Sequence, residues 1–207
     1  MLCAAMVTFS INAQNVYRPY REFVYKVTIC SRDSEQVSYL SMWTTGNTWA
    51  YDTSQKELFY AYHNHYNKDS LAAAWPYQEN VESTGMIENE RKIWLHPPRS
   101  GMFSMLEYFP FPELKRQAKC GSKYRRSFLG HIDFLGKTVF LIYKMKANCD
   151  EVDDHVIVSG VAKHKSEHWQ TLAVWDEKRC LFWYGCEIVP NTQIGIYFLL
   201  EDIVEHN

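Results

Sequence analysis

The chain has 207 residues, with 22 Lys and Arg against 24 Asp and Glu, a formal net charge of -2, and 46% hydrophobic and 15% aromatic residues. That length suits one core, and the aromatic load excludes low-complexity disorder. The near-neutral charge argues against a polyanion, because phosphate neutralisation needs clustered Lys and Arg, so no nucleic-acid partner is expected.

The first thirteen residues, MLCAAMVTFSINA, carry no charge and are mostly apolar or small. They read as the apolar region and cleavage site of a secretory signal, with a mature start at Gln14. A buried strand or helix is the competing reading. A basic n-region is missing, so Met1 is expected to fall inside a longer signal peptide. Residues 1–13 are thus expected to be a signal-peptide remnant and 14–207 one β-rich domain. The protein is expected to be exported, to the periplasm, to the outer membrane as an associated protein, or to the exterior. The apolar run is too short to span a bilayer. Without Cys3, five cysteines remain (Cys30, Cys120, Cys149, Cys180 and Cys186), an odd number that predicts one disulfide or none. There is no CxxC, which removes thioredoxin-like and zinc-ribbon readings.

From residue 22 the dominant period is two. EFVYKVTIC (22–30) puts Phe23, Tyr25, Val27 and Ile29 on one face. Trp43 and Trp49 flank TTGNT, which predicts a hairpin displaying both rings at one end of a sheet, suited to stacking on a sugar or gripping an apolar ligand. In YHNHY (62–66), His63 and His65 are two apart and would share a strand face, a way to offer two imidazoles to one zinc ion. A third ligand would have to come from His96, His131 or a carboxylate; solvent-facing histidines are the simpler reading.

NKDSLAAAWPY (67–77) predicts one or two helical turns capped by Asp69 or Ser70 and stopped by Pro76. In ERKIWLHPPRSGMF (90–103), Pro97 holds His96 extended and the two prolines release the chain from a strand. His96 and Arg99 therefore sit at a strand exit, free to cap carbonyls or hold a carboxylate such as Glu107. If they point into a concavity instead, they join Trp94 as ligand-binding candidates. A short helix is predicted over 102–108, with Met102, Met105, Leu106 and Phe109 on one face. From Lys137 to the C-terminus, alternating β-branched and aromatic residues predict five strands in an antiparallel meander.

Catalytic signals are weak. There is no G-x-S-x-G elbow and no HExxH, despite His164 and His168 near Glu167. Glu88, Glu90, Asp133, Asp153 and Asp154 supply carboxylates for glycoside hydrolysis, but sequence sets no separation between them. Cys180 and Cys186 fall in apolar strands, where a thiol packs rather than reacts. Trp175 and Trp183 are expected in the sheet interior. No catalytic residue and no cofactor is assigned.

The segment 88–115, with W-x-H-P-P-R at 94–99 and P-F-P at 110–112, followed by the meander from Val158 to Ile188, resembles secreted Bacteroidetes proteins of unknown function. The hairpin VWDEKRCLFWYG (174–185) departs from that pattern, with Cys180 where a glycine is usual, which puts the turn's left-handed position in question. The resemblance carries no catalytic residue set. A looser likeness, of shape alone, is to periplasmic lipoprotein-carrier folds, in which a curved antiparallel sheet holds an apolar concavity.

The expectation is a mainly β protein: a curved antiparallel sheet or open barrel with one or two short helices. It is read as an exported, non-catalytic protein that binds an apolar ligand, an envelope component or another protein. The candidate ligand residues are Trp43, Trp49, Trp94, His96 and Arg99, and the candidate metal residues His63 and His65. An envelope hydrolase acting on glycan or ester substrates and a structural assembly subunit are the alternatives.

Overall fold

The computed structural model describes residues 15–132, 136–150, 153–190 and 193–207. The expected signal remnant lies outside the described residues. Twelve strands form one antiparallel sheet: β1 (Arg21–Ser31), β2 (Ser34–Trp49), β3 (Asp52–His63), β4 (Val81–Glu88), β5 (Lys92–Leu95), β6 (Glu113–Lys115), β7 (Lys123–Ile132), β8 (Lys137–Cys149), β9 (Val156–His164), β10 (Glu167–Trp175), β11 (Leu181–Val189) and β12 (Ile194–Glu205). Their order is β6-β5-β4-β3-β2-β1-β12-β11-β10-β9-β8-β7, so the sheet is open, with β6 and β7 as its free edges. The predicted meander is β8 to β12. Two short helices complete the fold, α1 (Lys68–Ala74) and a 3-10 helix (Gly101–Tyr108).

The period-two pattern decides which face is buried. Phe23, Tyr25 and Val27 of β1 join Leu40 and Met42 of β2 and Leu141 and Tyr143 of β8 in one inner core. The chain leaving β5 runs across that face and fills it. Phe103 stacks on Tyr62 at 5.3 Å and on Phe198 at 5.9 Å. Buried tyrosines pin the crossing segment: Tyr60 donates to His96 O (2.9 Å), Tyr143 to Tyr108 O (3.1 Å) and Tyr184 to Pro110 O (3.0 Å). Each phenol thus finds an acceptor, and the irregular backbone gains partners it lacks internally. Beneath Pro97 and Pro98 lies an apolar void of about 20 Å³, room for about one water and none for a lipid.

Several local expectations are corrected. α1 is capped by Asn67, whose side chain accepts from Ser70 N at 3.1 Å, rather than by Asp69 or Ser70. The segment 101–108 is 3-10, and with three residues per turn it buries Phe103 and Leu106 and leaves Met102 exposed. TTGNT is no hairpin: it is an irregularity inside β2, whose turn comes later at Ala50 and Tyr51. In the β10–β11 turn the left-handed residue is Arg179 (φ 67°) rather than Cys180, and Asp176 Oδ1 accepts from Cys180 N at 2.8 Å. Trp175 is interior as expected, but Trp183 lies on the outer face, flat against Gly185, where a Cβ would meet its ring at 2.2 Å. One disulfide, Cys120–Cys149, ties the start of the β7–β8 hairpin to its end.

Candidate functional site

A concave feature that combines several aromatic rings with charged side chains lies between the two free edges. β5 alternates Ile93 and Leu95 inward with Lys92 and Trp94 outward. β7 and β8 present Phe128 and Tyr143 from the other side, and Phe109 and Phe111 enter from the connection between the 3-10 helix and β6. Together they line a groove of about 390 Å³, inside the usual range for small-molecule sites of roughly 300–1,000 Å³. An ion pair between Arg126 and Glu113 closes one side by joining β7 to β6.

Arg99 is placed at the groove by Glu82. The Glu82 carboxylate accepts from Arg99 N (3.0 Å), the Ser100 hydroxyl (2.5 Å) and the Tyr62 hydroxyl (2.5 Å). Burial pushes this carboxyl up, but the bonds from Ser100, Tyr62 and the Arg99 backbone outweigh it and hold it below the usual carboxylate range. The guanidinium packs on Phe111, its Cζ 4.2 Å from the ring centre. Arg99 has no ion pair among the described residues, and its buried Nε has no hydrogen-bond partner among them. Burial lowers its pKa, with Glu107, Tyr184 and Glu82 opposing at longer range.

Phe111 also stacks on His96 at 4.5 Å, and His96 meets the Trp49 ring edge-on at 5.6 Å and Trp94 at 6.0 Å. Gly85 makes this possible: a Cβ there would lie 2.6 Å from Trp49 and 2.0 Å from Gln55, so only glycine lets both lie over β4. Burial, and then the Arg99 charge, lower the His96 pKa to about 4. The ring is therefore neutral at physiological pH and sits behind Phe111 as a packing element.

Four of the five proposed ligand residues thus form one cluster, with Trp94 and Arg99 on the groove and Trp49 and His96 behind it. Trp43 is elsewhere. It is 5% exposed, stacked on Phe59 at 5.5 Å and edged by Trp75 and Tyr77 under the segment that follows β3. Its β-strand position, two residues before the irregularity rather than at a turn, buries it. His63 ends β3 and lies 2.8 Å, through Nε2, from the Ser41 hydroxyl; His65 is past the strand end and exposed, so period two does not bring the pair to one face. Among the described residues no group of three His, Cys, Asp or Glu side chains is placed to hold a metal.

Ser41 and His63 have the spacing of a nucleophile and its base, yet Ser41 is fully buried and no substrate reaches it in this conformation. Glu88 is committed to architecture: it accepts from Val16 N, Tyr17 N and Arg116. Burial raises Cys180 to about 12 and raises Cys186 further, so both thiols stay protonated. Sequence reasoning missed Phe109, Phe111, Phe128 and Tyr143. Only Phe111, fixed between Pro110 and Pro112, carried a local signal.

No family model matches the chain and no curated protein matches it, so the Bacteroidetes resemblance finds no support there. Among solved structures, a LolA superfamily protein from Nitrosomonas europaea aligns over 91% of this chain and 87% of that one, at 8% identity and a TM-score of 0.28, a similarity too loose to bear on fold or function.

Proposed function

We propose that this is an exported, non-catalytic binding protein that holds an amphiphile, with an apolar body and an anionic group, in the groove between its sheet edges. The observation that carries the reading is Arg99, a partly buried guanidinium with no ion pair among the described residues, at an aromatic groove whose other charged lining residues are Lys92, Glu107 and the ion-paired Arg126 and Glu113. A buried charge without a counter-ion is unfavourable, and an anionic ligand group would relieve that cost. Trp94, Phe109, Phe111 and Phe128 offer the apolar body a dry wall. The filled inner face turns the ligand away from the sheet's concavity and toward this seam. Export is supported by the Cys120–Cys149 bridge, which an oxidising compartment preserves.

Titration with a fluorescent long-chain fatty acid tests this reading. Saturable binding at one site per chain is expected, weakened about tenfold or more by Arg99→Gln, since hydrogen bonds to charged groups contribute about 1.5–3 kcal/mol. Trp94→Ala should weaken it as well. No saturable binding, or binding that ignores Arg99→Gln, would sink the proposal.

A further inference from the structure

The outer face of the β7–β8 hairpin has a composition that the rest of the chain does not predict. Register sets Lys123 opposite Lys146 and Arg125 opposite Lys144, four cations in one square on a protein of net charge -2. All four are exposed, and none has a carboxylate partner among the described residues. Like charges placed directly across a strand pair are destabilising. The described outward positions of both strands hold no acidic side chain to offset them.

The same face continues into apolar residues. Leu129 stands opposite Phe140, and Ile142 follows one outward position nearer the cations; they are 70%, 57% and 44% exposed. Strict alternation in β8 sends Val139, Leu141, Tyr143 and Met145 into the core, so Phe140 and Ile142 have no interior role. An exposed apolar cluster on an edge hairpin is a liability unless it is covered.

We infer that this hairpin face docks on an anionic lipid membrane, with Leu129, Phe140 and Ile142 entering the interface and the four cations meeting the headgroups. Charge complementarity selects this occupant. A symmetric dimer through this face would bring cation square and apolar patch against their own kind or against each other, leaving the cations unmatched, whereas an anionic bilayer answers both halves at once. This docking does not rest on the ligand of the groove.

Vesicle co-sedimentation of the full chain tests it. Binding is expected to vesicles of phosphatidylcholine mixed with phosphatidylglycerol, far less to phosphatidylcholine alone, and to decline as salt screens the headgroups. Each cation removed should weaken binding about fivefold, so the double variant Lys144→Gln/Lys146→Gln should lose about twentyfold or more. Phe140→Ser should lose about tenfold. Because the double variant removes opposed like charges, its thermal stability should not fall, which separates lost docking from lost folding. Arg99→Gln should leave vesicle binding unchanged. Equal binding to neutral vesicles, binding unmoved by these variants, self-association through Phe140, or capture of duplex DNA in place of vesicles through the same lysines would each overturn the inference.

Discussion

His96 is buried among Trp49, Trp94 and Phe111, and neither ring nitrogen has a hydrogen-bond partner among the described residues. Its folded pKa of about 4 lies below the ordinary value of 6.5. Between those values the unfolded chain binds the proton and the folded chain does not, so stability falls as pH drops through this window. His96→Phe keeps the stacking and removes the proton. Urea unfolding at about pH 5 and about pH 7.5 should therefore show a smaller difference in the variant than in the parent; an unchanged difference would place the dependence in other groups. The residue was conspicuous in the sequence because two prolines follow it. Its role was not, because the rings around it come from three separate stretches of chain.

At the scale of elements, two devices hold irregular chain onto the sheet. The Glu88 carboxylate, at the end of β4 with no side-chain exposure, accepts from the backbone of Val16 and Tyr17 and from Arg116. Glu88→Ala would leave the half-buried Arg116 guanidinium and two buried N–H groups without this acceptor. A loss of about 3–5 kcal/mol is expected by denaturant unfolding, with faster amide exchange at Val16 and Tyr17. The second device is Cys120–Cys149, separated by 29 residues, which closes the open end of the β7–β8 hairpin. Cys120→Ser/Cys149→Ser should cost about 3–4 kcal/mol by loop-closure entropy, read as a lower denaturant midpoint. A variant as stable as the parent would mean that the strand pairing alone fixes the hairpin. The odd cysteine count, with a core large enough to fold without staples, argued against a disulfide framework. Which two thiols meet depended on hairpin register.

For the whole molecule, the consequence of an open twelve-stranded sheet is that its two edges are brought near each other without pairing. A closed barrel would have left no groove, and an open sheet with an empty inner face would have held its ligand inside. Here the crossing segment from His96 to Pro112 fills the inner face, and the edges supply Trp94 and Glu113 on one side and Arg126 and Phe128 on the other. The groove between them is about 390 Å³, against about 20 Å³ for the void beneath Pro97 and Pro98. Fatty-acid binding at the seam and vesicle binding at the β7–β8 face are therefore separable in this architecture, one sensitive to Arg99→Gln and the other to Lys144→Gln/Lys146→Gln.

The sequence by itself determined β1 and the face it buries, because side chains alternate with a period of two and an apolar face must be covered. It determined the meander from β8 to β12, whose short polar connections allow only antiparallel neighbours. It also marked the strand exit at Leu95, where Pro97 cannot extend a ladder. Tertiary structure alone decided which aromatic rings meet: Trp49, Trp94 and Phe111 are spread over sixty residues, and Trp43, equally conspicuous, was buried under the chain that follows β3. It decided the charge pattern as well. Composition gave a near-neutral chain and argued against a nucleic-acid partner, but said nothing of where its cations lie; cross-strand register gathered Lys123, Arg125, Lys144 and Lys146 on one face. Register is a long-range property, fixed by which strands pair and with what offset, and no local window of sequence contains it.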